Sequence, residues 1–66
     1  MPSKTFLRLE KEKQTKILDA CIKEFSEYLF EDASINRMIK AADISRGSFY
    51  TYFESKEDVY FFLLDQ

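Results

Sequence analysis

Apolar residues recur at three- and four-residue spacing between about Glu10 and Leu29: Ile17, Leu18, Cys21, Phe25, Tyr28 and Leu29, with charge between them. One apolar stripe at that period predicts an amphipathic helix. Phe30 to Ala33 breaks the pattern, and Ser34 is placed to cap a second helix over Ile35 to Ala42, because its hydroxyl can accept from a free first-turn amide. That helix would bury Ile35, Met38, Ile39 and Ala42. Asp43 falls at the turn that follows, where Asp tolerates a left-handed backbone better than most residues, though less well than Gly. Ser45 would cap a third helix, Arg46 to Tyr52, and Ser55 a fourth, with Ser55-Lys56-Glu57-Asp58 resembling a capping box. From Val59 to Leu64 the fourth helix is apolar on every side, and three short helices cannot cover it. The chain is therefore expected to be a fragment, cut inside a helix that continues into a larger domain.

The fold class expected is all-α: a three-helix bundle with a helix-turn-helix, homeodomain-like, plus the start of a fourth helix. Residues 1–9 read as a mobile N-terminal arm, 10–55 as the helix-turn-helix domain, and 56–66 as the start of a helix leading to a missing C-terminal domain. Two helices joined across Asp43 to Ser45 leave a second helix short enough to enter a DNA major groove. Phe25, Ile35, Ile39, Ile44, Phe49 and Phe53 are assigned to the core.

Composition narrows the chemistry. A chain 45% hydrophobic and 17% aromatic is too apolar to stay disordered, and one Gly with one Pro favours helices over a many-stranded β fold. Cys21 has no partner for an internal disulfide and reads as a small buried hydrophobe. Without histidine there is no raw material for a zinc site or a His-based triad; no catalytic residue, metal or cofactor is expected. No segment is long enough to span a bilayer and no signal peptide opens the chain, so a cytoplasmic setting is expected.

A net charge of −2 argues mildly against nucleic acid, but its distribution matters more. Between Ser34 and Phe53 stand Arg37, Lys40 and Arg46 against Asp43 alone, while the acid excess lies in Glu24 to Asp32 and Glu54 to Asp65. A lone domain should bind DNA weakly and with strong salt dependence.

Ile17-Leu18-Asp19-Ala20-Cys21 with Phe25, then Ser34-Ile35, then Ala41 through Phe53 and Ser55-Lys56-Glu57, resembles the N-terminal domain of the TetR family of bacterial transcriptional repressors. The resemblance covers about Lys13 to Leu64. It departs at Leu29 and Asp43, where the family usually has Gly. It implies a homodimer built by a C-terminal helical domain that binds a small-molecule inducer, and a palindromic double-stranded DNA operator read half-site by half-site in the major groove.

By this resemblance Arg46, Gly47, Ser48 and Thr51 read bases. Arg46 would reach guanine O6 and N7, Gly47 would allow backbone approach, and Thr51 would meet a thymine methyl or a phosphate. Ser34, Ser45, Tyr50, Tyr52 and Lys56 would hold phosphates, which set register without carrying sequence information directly. Each has a plainer reading: a solvated charge for Arg46, a cap for Ser45, a core ring for one of the tyrosines. Arg37, Lys4 and Arg8 are possible further contacts whose plainer reading is also solvated charge. Two rival functions stand beside this one. A protein-interaction module would use Tyr50, Tyr52 and Tyr60 as a docking face. A small enzyme lacks the residues for it, since Glu57 and Asp58 at a helix start more plausibly complement the dipole.

Overall fold

Among the described residues, serine hydroxyls start four of the five α-helices. Ser3, Ser34, Ser45 and Ser55 each stand in extended backbone, and each accepts from the amide three residues on, at Phe6, Arg37, Ser48 and Asp58. That bond satisfies one of the amide groups a helix start leaves without an intrahelical acceptor. The computed structural model describes residues 2–65, and every regular element among them is helical. In order these are α1 (Lys4–Leu7), α2 (Lys11–Glu27), a 3-10 turn (Phe30–Asp32), α3 (Ile35–Ala42), α4 (Arg46–Tyr52) and α5 (Lys56–Leu64).

α3 and α4 have the bounds their caps and periodicity predict. The turn between them is a Schellman closure: Ile44 N–H donates to Ile39 O at 3.0 Å and Asp43 N–H to Lys40 O at 3.3 Å. Asp43 takes φ 58°, ψ 45°, the left-handed conformation that the turn requires. Leu29, the other departure from the family's glycines, sits at φ −60°, ψ 153°, where any side chain fits. α2 ends at Glu27, two residues before the expected Leu29, because Tyr28 turns extended. The capping box at α5 is displaced by one residue. Asp58 Oδ2 accepts from the amide of Glu54 at 2.9 Å, not from that of Ser55.

The segment expected to be an arm carries a short helix that packs on the rest of the domain. Residues 4–7 are helical, and Ser3 N–H donates to Tyr52 O at 2.8 Å, fastening the N-terminal segment to the end of α4. Phe6 is fully buried, with its ring 5.0 Å from Phe53, 5.9 Å from Tyr52 and 6.3 Å from Phe62. Gln14 Nε2 then donates to the carbonyls of Leu7 and Leu9, holding the bend into α2. Met1 of the expected arm, and Gln66 of the expected fourth helix, lie outside the described residues.

Phe6, Ile17, Cys21, Met38, Phe49, Phe53 and Val59 form the fully buried core. Phe25, Ile35, Ile39 and Ile44, also assigned to it, pack half-buried around its edge. Phe6 supplies part of the cover that α5 lacks in the sequence reading; Phe61 and Leu64 stay exposed. Burial, with the Glu24 charge as a smaller cause, pushes the Cys21 thiol up to about 12, so it stays protonated at neutral pH.

A buried charge joins α2 to α3. Glu24, only 6% exposed, accepts at Oε2 from the Ser34 amide at 2.8 Å and from Arg37 Nε at 2.7 Å, with Arg37 Nη2 also at 2.7 Å. Arg37 also donates to Asp32 O and lies over the Tyr28 ring, 3.9 Å from its centroid. Arg37 is thus tied down as a strut, with about half of its side chain still exposed.

Phe6→Ala should destabilise the protein by about 3–5 kcal/mol, as much as a core phenylalanine of α4, where a mobile arm would show no effect; chemical denaturation measures this. Arg37→Ala strands a buried carboxylate that keeps an amide partner, and should cost on the order of 2 kcal/mol in the same experiment.

Candidate nucleic-acid interface

The first turns of α3 and α4 and the start of α5 meet around a shallow depression of about 230 Å³ lined by Ser34, Ile35, Asn36, Arg46 and Lys56 over Ala33. Three residues assigned from sequence to DNA contact, Ser34, Arg46 and Lys56, are therefore neighbours in space although spread over 23 positions. The polar groups differ in what they have left to offer.

Ser34 gives its amide to Glu24 and takes the Arg37 amide on its hydroxyl oxygen, so these two bonds leave its O–H hydrogen unused. Ser45 is a cap whose hydroxyl accepts from Ser48 N–H at 3.0 Å and donates to Ser48 Oγ at 3.0 Å. Its hydrogen is committed, while that of Ser48 is not used in this bond. Thr51 donates its hydroxyl to Gly47 O at 3.0 Å, back along its own helix. A phosphate needs a donor, so of the two readings for Thr51 the methyl contact fits better.

Arg46, exposed at the first position of α4, donates from Nη1 to Asn36 Oδ1, and its Cζ lies 5.7 Å from the Tyr50 ring centroid. Tyr50 is exposed and stands edge-on to buried Phe49 at 5.4 Å. Tyr52 is half-buried with its ring against Phe6, so the core-ring reading holds for that ring. The docking face of the rival module does not form. Tyr60 packs between Phe25 and Phe30 at 4.9 and 4.8 Å, in a separate cluster from Tyr52.

Lys56 has partners that nothing in its local sequence announces. Its Nζ donates to Phe30 O at 2.7 Å and Ala33 O at 3.1 Å, with Glu31 O at 3.4 Å, and stands 4.7 Å from the Phe30 ring centroid. An ammonium has three donors, and these carbonyls can occupy all of them. Its charge remains beside the depression, but its hydrogens tie down the loop before α3.

Gly47 is exposed on the first turn of α4 and has an ordinary negative φ. A Cβ built there would meet only Ser45 Oγ, at 3.9 Å, which is normal contact. Nothing among the described residues requires glycine here, although glycine weakens a helix by about 0.5–1 kcal/mol relative to alanine.

Asn36 is the residue of this surface that sequence reasoning missed. Its place at the second position of α3 gave no signal, because its partner lies ten residues away across the turn.

Residues 17–61 match the family model described as bacterial regulatory proteins, tetR family. The uncharacterized HTH-type transcriptional regulator YdgC of Bacillus subtilis strain 168 is 39% identical over 49 residues, 74% of this chain and 25% of that protein. YvdT of the same strain, another uncharacterized HTH-type transcriptional regulator, is 46% identical over 44 residues, 67% of this chain and 23% of its own length. The crystal structure of a TetR family transcriptional regulator from Chloroflexus aurantiacus J-10-FL superposes with a TM-score of 0.93 at 40% identity, covering 98% of this chain and 30% of that one. The chain thus spans about a quarter of the curated relatives it matches. With its helix-turn-helix in place and the family model covering most of its length, this chain belongs to the TetR family of bacterial transcriptional regulators, as a DNA-binding domain.

Proposed function

We propose that this domain reads one half-site of a palindromic operator, α4 lying in the major groove, as one head of a homodimeric cytoplasmic repressor. The observation that carries this is Gly47: a helix-weakening residue, on the exposed first turn of α4, with no demand for it from within the chain. Close approach of a DNA backbone or base edge supplies the demand. Arg46 and Gly47 lead the reading, Thr51 offers its methyl, and Ser48 its hydroxyl hydrogen. Ser34 and Tyr50 take phosphates. Ser45, Tyr52 and Lys56 act mainly by holding those groups in place, with the Lys56 charge adding long-range attraction. Lys4 and Arg8, both exposed, lie on or next to α1 as further sources of positive charge.

Residues 10–55 form the reading unit with α1 docked behind it, and 56–66 lead toward a C-terminal domain of the kind the length of the relatives implies. That domain would make the dimer and bind a small-molecule inducer. Two heads on one face of the duplex require half-sites about 34–36 Å apart or a multiple of it. The absence of histidine, with a thiol held protonated, favours binding over catalysis. Among the described residues no helix is long and apolar enough to cross a membrane.

Gly47→Ala should raise stability by about 0.5–1 kcal/mol while weakening binding to duplex DNA, a pairing of opposite signs that a purely structural role does not produce. Thermal melts and fluorescence anisotropy on the same samples measure both; unchanged affinity would remove the main support for the reading. Arg46→Ala should leave the melt unchanged and cost about 1–3 kcal/mol on operator only. Lys56→Ala should lower stability by about 1–3 kcal/mol through its orphaned carbonyls, with a smaller uniform loss on all duplexes.

A further inference from the structure

Asn36 has no part in the core, yet it bridges the first turns of the two helices that make the helix-turn-helix. Its exposed side chain accepts at Oδ1 from Arg46 Nη1. An arginine is always protonated and has only donors, so the amide oxygen, not the nitrogen, must face it. The chemistry fixes the orientation of the amide.

Three features make this bond suited to holding Arg46 ready rather than withholding it. A guanidinium has five N–H groups, and Asn36 engages Nη1, leaving the edge formed by Nε and Nη2 for a bidentate contact with guanine O6 and N7. Asn36 is neutral, so the guanidinium keeps its full charge; the first turn of α3 carries no acidic residue to neutralise it. Arg46 is exposed on a seven-residue helix, where an untethered side chain loses much rotamer freedom on docking. Asn36 on one side and the Tyr50 ring on the other restrict that freedom before DNA arrives.

We propose that Asn36 is a positioning residue for base readout. It pre-orients Arg46 across the turn and thereby sharpens discrimination for guanine at the base pair that Arg46 meets. The inference rests on the DNA-reading role above and adds the residue that sets its selectivity.

The test uses the intact protein. Preferred sequences are selected from a random duplex pool, and affinities for the selected site and its single-base variants are then measured for wild type, Asn36→Ala, Arg46→Ala and the double variant. Asn36→Ala should keep its melting temperature and its affinity for random duplex, but lose on the order of five- to tenfold discrimination at one base pair per half-site. The double variant should match Arg46→Ala, since Asn36 acts through Arg46. Asn36→Asp should keep the discrimination, as an ion pair still orients Arg46, while weakening binding to every duplex and flattening the salt dependence. In the DNA-free protein, the Arg46 Nε–H NMR signal should shift and lose order in Asn36→Ala only. Additive losses, full discrimination in Asn36→Ala, or an unchanged Arg46 signal would overturn the proposal. A wild type that binds no duplex at low salt would instead sink the DNA-reading role, and the free-protein NMR result would still say whether Asn36 orders Arg46.

Discussion

α4 is seven residues long, well under the length at which a helix holds its shape in water, so everything it presents depends on what is packed behind it. Its inner face supplies Phe49, with Phe53 just past its end, both 1% exposed and 5.8 Å apart. Phe6 from α1 and Phe62 from α5 close around Phe53. The Tyr52 carbonyl, one of the last of the helix, is taken by the Ser3 amide. α4 is thus held at its start by the Ser45 hydroxyl, along its back by rings, and at its end by the N-terminal segment. Only the outer face is left free, and on it stand Arg46, Gly47, Tyr50 and Thr51, all exposed.

The first turn of α3 is fixed by charge in place of rings. In the loop from Leu29 to Ser34 only Ala33 is buried, with Phe30 half-buried against Phe25 and Tyr60. Glu24 draws in the Ser34 amide from one side, and Lys56 gathers the carbonyls of Phe30 and Ala33 from the other. A buried carboxylate is costly unless its lone pairs are met by donors, and Arg37 with the Ser34 amide meets them. The specific gain is geometric: the start of α3 is placed beside the start of α4, close enough for Asn36 to reach Arg46.

Much of this was legible in the chain, and the boundary of what was not has a physical form. α3 and α4 could be bounded to the residue because serine caps, the 3.6-residue period and the left-handed tolerance of Asp43 are local signals. The buried Phe49 and Phe53 followed from the same local pattern. α1 was missed because four residues have no period, and because the partners that bury Phe6 lie 46 to 56 positions away. Lys56 looked like a ligand for phosphate, and Arg37 like a solvated charge or a further DNA contact, because a basic residue in sequence shows its charge and not its partner. Only the fold reveals that Glu24 and the loop carbonyls have claimed them. A residue that stands out by backbone freedom or side-chain size, such as Gly47, is easier to single out from sequence than one whose availability depends on unspent hydrogen bonds.

That distinction bears on how such a domain can bind DNA at all. With a net charge of −2, and with Arg37 and Lys56 already hydrogen-bonded within the chain, the face proposed to read DNA would have only a modest cationic surplus for non-specific affinity. What remains is a small number of oriented groups on a stiff frame, which favours discrimination over strength. A weak head gains affinity by repetition: a second head at fixed spacing turns the second contact into an intramolecular one, multiplying affinity without any new chemistry. The same arrangement makes affinity sensitive to the spacing between heads, because a pair that cannot engage together falls back to the strength of one. By that argument a reading domain weak on its own would suit a spacing switch, whereas a strongly basic head would stay bound whether or not its partner could reach.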